Sequence, residues 1–208
     1  MIYLSDDYVV KYQDTISYFI SRAIHDGYSF SHIEYSIAHS LMIEEFEKSN
    51  ITLIAFSSME KNYSSVFPFS KNDGFILNVY DKYGWSGYIY LHLFFDLKTT
   101  FEALFMIMPI KEMLSCYPLY HEMDYRQMLK YAREKIKHST LDIVMKHKNV
   151  STKELSMMTG INYSTLNAIR YNKRNIDKIE SKKLYLIAKA LNIKPESLLS
   201  HLELDFDR

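Results

Sequence analysis

Cysteine occurs once in the 208 residues, at Cys116. No intrachain disulfide can form, and no Cys-based zinc site can be built from this chain alone. A single buried thiol of this kind reads as a small hydrophobe. No apolar run reaches the roughly 18 residues that a membrane span needs. The start, "MIYLSDDYVVKYQD", carries early acids and no basic stretch before an apolar core, so it does not read as a signal peptide. These absences together favour the cytoplasm and no membrane contact. No Gly-, Ser- or Pro-rich linker interrupts the chain, and its parts are therefore expected to be directly coupled. Walker loops, dinucleotide fingerprints and Gly-x-Ser-x-Gly elbows are lacking as well.

Net charge is also zero, but this average hides a split. Residues 1–125 carry 8 Lys and Arg against 16 Asp and Glu, whereas residues 126–208 carry 17 against 9. Such an asymmetry suggests two units with different partners, the basic one suited to a polyanion. Composition divides at the same place. Residues 1–125 hold 14 of the 18 tyrosines, 11 of the 12 phenylalanines and the one tryptophan, Trp85.

In the basic part the apolar spacing is helical. Leu141, Val144 and Met145 share a face, as do Leu155 and Met158, Leu166 and Ile169, and Leu184, Ile187, Ala188 and Leu191; Leu198 and Leu199 follow. Boundary signals agree. Ser151 and Glu154 have capping-box spacing. Gly160 can end one helix in the left-handed conformation and Asn162 can cap the next. Asn172 can close that helix, Ser181 can cap a fourth, and Pro195 suits the first turn of a fifth. Five short helices are expected in about 60 residues. Two of them, joined through Gly160 with the small Ser156 at their crossing, form a helix-turn-helix locked by Leu155, Ile161, Leu166 and Ile169. The outward residues of its second helix are Tyr163, Ser164, Thr165, Asn167, Arg170 and Tyr171, side chains suited to base edges and phosphates.

This segment resembles the Xre/Cro-type phage-repressor helix-turn-helix family. The residues that carry the resemblance are "TKELSMMTGINYSTLNAIRYNKRN" and the continuation "LYLIAKALNIKPESLL". Arg170 stands where that family often has Glu, Asn172 where Gly is common, and Thr152 where Gln often occurs. The resemblance implies an all-α, five-helix, lambda-repressor-like domain over residues 139–203 that binds double-stranded DNA, commonly as a homodimer. By position, Tyr163, Ser164 and Asn167 are expected to read bases. Thr152, Lys153, Arg170, Lys173 and Arg174 are expected to meet phosphates.

Residues 1–125 are expected to form an α+β domain. Helices are expected over residues 14–27, with Ile16, Phe19, Ile20, Ala23 and Ile24 inward, and over residues 31–49, opened by a Ser31–Glu34 capping box. "ITLIAFSS" suggests a strand. "GFILNVYDKYGWSGYIYLHLFFD", residues 74–96, suggests a β-hairpin, because two β-branched and aromatic runs flank a turn-rich centre. A further helix is expected from a Thr99–Glu102 box toward Pro109. Residues 126–138 read as a basic amphipathic helix, either a connector or part of the DNA-binding domain. His32 and His39, seven apart, and "YHEMD" at residues 120–124 read as hydrogen-bonded or solvated groups, with no metal, cofactor or enzyme activity implied.

The expectation from sequence is thus an α+β protein and a sequence-specific transcriptional regulator, with repression implied by the resemblance. Its N-terminal domain serves dimerisation, senses a small ligand or binds a protein partner. The alternative is an antitoxin-like or phage-defence interaction protein that regulates its own synthesis through the helix-turn-helix.

Overall fold

The computed structural model describes residues 6–48, 58–69, 74–78, 81–136 and 139–199. Every regular element among them is helical. In chain order these are α1 (Asp6–Asp26), α2 (Phe30–Ala38), α3 (Leu41–Glu47), α4 (Met59–Val66), α5 (Lys82–Leu97), α6 (Phe101–Ile107), α7 (Ile110–Tyr120) and α8 (Arg126–Lys135). Then follow α9 (Thr140–His147), α10 (Thr152–Thr159), α11 (Tyr163–Arg170), a 3-10 turn (Ile176–Lys178), α12 (Ser181–Leu191) and a second 3-10 turn (Pro195–Ser197).

The expected α+β class is therefore corrected to all-α for the described residues. The hairpin fails at its supposed turn. Asp81 accepts hydrogen bonds from the Tyr83 and Gly84 amides at 2.7 and 3.0 Å and starts α5 there. The glycines that resemble turn residues serve a helix crossing instead. Gly87 lies against α1 so closely that a Cβ would meet Ser17 Oγ at 2.0 Å and the Ser17 backbone nitrogen at 2.7 Å. Ser17 Oγ in turn donates to the Gly84 carbonyl at 3.1 Å. The following run is buried on more than one side, through Ile89, Tyr90, Leu91, Leu93 and Leu97. A helix enclosed in this way loses its one-sided period and takes on the composition of a strand. Residues 74–78, the other half of the hairpin, have no regular structure. Residues 51–57 of the expected "ITLIAFSS" strand lie outside the described residues.

Other boundaries also differ, and the helix expected over residues 14–27 begins earlier, as α1 at Asp6. The helix expected over residues 31–49 is two. Ser29 caps α2, and Ser40, in extended conformation, caps α3 by accepting from the Ile43 amide at 3.3 Å. Glu34 leaves its capping-box role and accepts the Ile110 amide at 2.6 Å. The cap of α6 is Thr100 in place of Thr99, and Pro109 ends the segment by standing between α6 and α7. Glu180 precedes α12, with Ser181 as its first residue, and the fifth expected C-terminal helix is only a 3-10 turn.

Two cores result. One gathers buried residues from Tyr12 to Ile136, including Met128, Leu129 and Ala132 of α8, so the basic amphipathic helix packs on the N-terminal side. The other runs from Leu141 to Leu198. They meet along a seam where Met106 of α6 packs on the second core and Ile143 of α9 on the first. Polar groups fasten that seam. The buried carboxylate of Glu102 accepts the Lys194 amide at 2.9 Å and the Ser197 hydroxyl at 2.6 Å. With its proton given to Glu102, Ser197 Oγ accepts from the Thr100 hydroxyl at 2.9 Å. The Lys194 ammonium donates to the Ala38 carbonyl at 2.9 Å.

Candidate nucleic-acid interface

The C-terminal unit is built on short-range signals. Ser151 and Glu154 form a complete capping box at the start of α10, with the Ser151 amide 2.8 Å from the Glu154 carboxylate. Gly160 ends α10 with φ 69°, and its amide donates to the Ser156 carbonyl at 2.9 Å. A side chain would be strained there, which explains the single glycine between two helices. The turn satisfies its own polar groups. Ser156 Oγ donates to the Ile161 carbonyl at 2.6 Å, and Thr159 Oγ accepts the Ile161 amide at 3.2 Å. Asn162 then caps α11, its Oδ1 accepting from the Ser164 amide at 2.9 Å. Leu155, Ile161, Leu166 and Ile169 are buried between the helices, as their spacing requires.

On α11, Tyr163, Ser164 and Asn167 stand at i, i+1 and i+4 and so fall on one side, away from buried Leu166 and Ile169. Tyr163 is 52% exposed. Ser164 is exposed, its hydroxyl donating to Asn162 Oδ1 at 2.8 Å and keeping its lone pairs available. Asn167 is half-buried. Beyond the helix the chain turns through Asn172, φ 55°, and the amides of Lys173 and Arg174 both donate to the Ala168 carbonyl, at 2.8 and 3.0 Å. This anchors two exposed cations at the end of α11, and neither forms an ion pair with a described carboxylate. Lys153 is exposed in the first turn of α10.

Thr152 and Arg170 are placed differently from these. Thr152 is 4% exposed, and its hydroxyl oxygen accepts from Arg170 Nη1 at 3.0 Å. Arg170 Nε donates to Asp142 Oδ1 at 2.6 Å, and Lys146 Nζ is 2.7 Å from Asp142 Oδ2. The group ties α9, α10 and α11 together. Burial pushes the Asp142 carboxyl up, but Lys146 and Arg170 outweigh it and hold the carboxyl below its ordinary value. Ser139 adds a further tie, donating from Oγ to the Arg170 carbonyl at 3.0 Å. Sequence reasoning passed over Asp142 and Ser139. The available signal was an arginine at a position where the resemblance expects an acid, which calls for an acid elsewhere, and Asp142 sits four residues before Lys146 on α9.

A capped helix, a glycine turn and a second capped helix with a polar outer side define a helix-turn-helix unit. Residues 140–203 match the family model of the Cro/C1-type HTH DNA-binding domain, and this segment is such a domain. No curated protein and no solved structure matches the chain. Among the described residues no group of three or more His, Cys, Asp or Glu could hold a metal ion. No described helix is long and apolar enough to cross a membrane.

Proposed function

We propose that the chain is a sequence-specific transcriptional repressor that binds double-stranded DNA as a homodimer, with α11 in the major groove. The observation that carries this reading is the Cro/C1-type domain with its polar α11 side bordered by Lys173 and Arg174. Tyr163, Ser164 and Asn167 read base edges, Asn167 having the donor and acceptor that adenine pairs bidentately. Lys153, Lys173 and Arg174 neutralise phosphates. Thr152 and Arg170 act as positioning residues, since their side chains are joined to each other and to Asp142. Residues 1–136 supply dimerisation or effector sensing and are coupled to the DNA-binding domain through Glu102, Lys194 and Ser197.

Competition binding with a panel of mutated duplexes tests the assignment. Asn167→Ala is expected to relax preference at one base position. Lys173→Ala is expected to weaken all duplexes alike. If both variants bind every duplex as the parent does, α11 is not the reading element.

A further inference from the structure

A cavity of about 570 Å³ opens at the seam between the two cores, within the range of small-ligand sites. Glu47, Lys48, Phe94, Lys98 and Thr99 line it from the N-terminal side, and Lys194 and Glu196 from the C-terminal domain.

Lys98 is the unusual member. It ends α5 in the left-handed conformation, with φ 47° and ψ 49°. The other described residues with positive φ are Gly27, Gly74, Gly160, Asn149, Asn172 and Asn192. All are glycine or asparagine, the types that accept this backbone with least strain. A lysine in such a place accepts backbone strain that asparagine would relieve, and strain of this kind concentrates at binding sites. Among the described residues its charge is also uncommitted. Lys48 lies 2.8 Å from Glu44 and 3.7 Å from Glu45, and Lys194 is engaged by Ala38 and lies 3.8 Å from Glu47. Lys98 pairs with no described carboxylate. Beside it the half-buried ring of Phe94 offers a flat apolar wall, held from behind by stacking on Phe101 at 5.0 Å. Among the cavity's carboxylates, Glu44 and Glu47 already face ammonium groups. Glu196 forms no ion pair among the described residues, and its charge disfavours a second negative charge on a ligand.

We propose that this cavity binds a small organic monoanion, its flat apolar body against Phe94 and its anionic group on Lys98, with the Thr99 hydroxyl as a further donor. Lys194 lines the cavity and also fastens the seam to Ala38, so occupancy bears on how the DNA-binding domain is seated. The binding step does not depend on the DNA reading and is measured without DNA.

The test is a fluorescence titration of the full chain with 8-anilinonaphthalene-1-sulfonate, a flat aromatic monoanion. One saturable site per chain is expected. Lys98→Asn, which suits the backbone better and should leave the urea midpoint unchanged or higher, is expected to weaken binding about tenfold. Lys98→Arg is expected to retain it. Saturation at one probe per chain with that order of variants supports the site. Equal binding by Lys98→Asn and the parent, or no saturation at one per chain, overturns it.

Discussion

Removing the Asp142 carboxylate should disturb the DNA-binding domain through Arg170. The carboxylate is 3% exposed, and Arg170 Nε and Lys146 Nζ reach it at 2.6 and 2.7 Å. Truncating one partner of a fully buried pair costs about 3–5 kcal/mol, because the other charge is left unpaired. The cost is smaller here. Lys146 is 64% exposed and returns to water, leaving about 0.5 kcal/mol at stake. Arg170 is 20% exposed and keeps its bond to Thr152. Asp142→Ala should therefore lose about 2–3 kcal/mol. In a double-mutant cycle with Arg170→Ala the coupling should be about 1–2 kcal/mol. Urea unfolding followed by far-UV circular dichroism measures it, while Trp85, which packs against the N-terminal core, reports that core separately by fluorescence. The pH dependence has a defined sign. The folded carboxyl lies below its unfolded value of about 3.9, so the contribution is present above that pH and is lost as pH falls through the folded value. Asp142→Asn should flatten this acid limb. Effects of the two alanine variants that add to within about 0.5 kcal/mol would refute the argument.

Three other outcomes follow from single contacts. Gly87→Ala should cost about 3 kcal/mol or more in urea unfolding, since its Cβ would collide with backbone atoms of Ser17 that no rotamer change relieves. Gly160→Ala meets no atom within 4 Å but keeps φ 69°, so it should cost only about 1 kcal/mol, measured in the same way. Glu34 separates a hydrogen bond from a charge. Burial raises its carboxyl while the Ile110 amide lowers it, the net direction being upward. Glu34→Gln keeps the acceptor without the half-buried charge and should be neutral or stabilising at pH 7. Glu34→Ala orphans the Ile110 amide and should cost about 1–3 kcal/mol.

The C-terminal domain was legible because its instructions are local. Ser151, Glu154, Gly160 and Asn162 each act within a few residues, and each does in the structure what its type and spacing imply. The N-terminal side is governed by distant partners. Gly84 and Gly87 read as a turn because nothing near them in sequence reveals Ser17, across the α1–α5 crossing. Glu102 has the spacing of a capping residue from Thr99, yet its carboxylate is claimed by Lys194 and Ser197, more than 90 positions away. Tyr88 to Phe95 look like a strand because the side of this helix that is not fully buried carries Tyr88, His92, Phe94 and Phe95, so few polar residues mark its period. Within the candidate interface, exposed Tyr163, Lys173 and Arg174 could be anticipated from position. The inward turn of Arg170 required a partner, Asp142, that lies 28 residues earlier.

Fluorescence anisotropy of the full chain against its own upstream DNA and a scrambled duplex, across a salt series, tests the DNA-binding reading most directly. Selective binding to the upstream duplex is expected, with an affinity that falls steeply as salt rises. The slope should shrink by about one for each protomer-phosphate contact removed with Lys173→Ala, and should hold for Arg170→Ala. Equal, feeble and salt-insensitive binding to both duplexes, unchanged in Lys173→Ala, would contradict it.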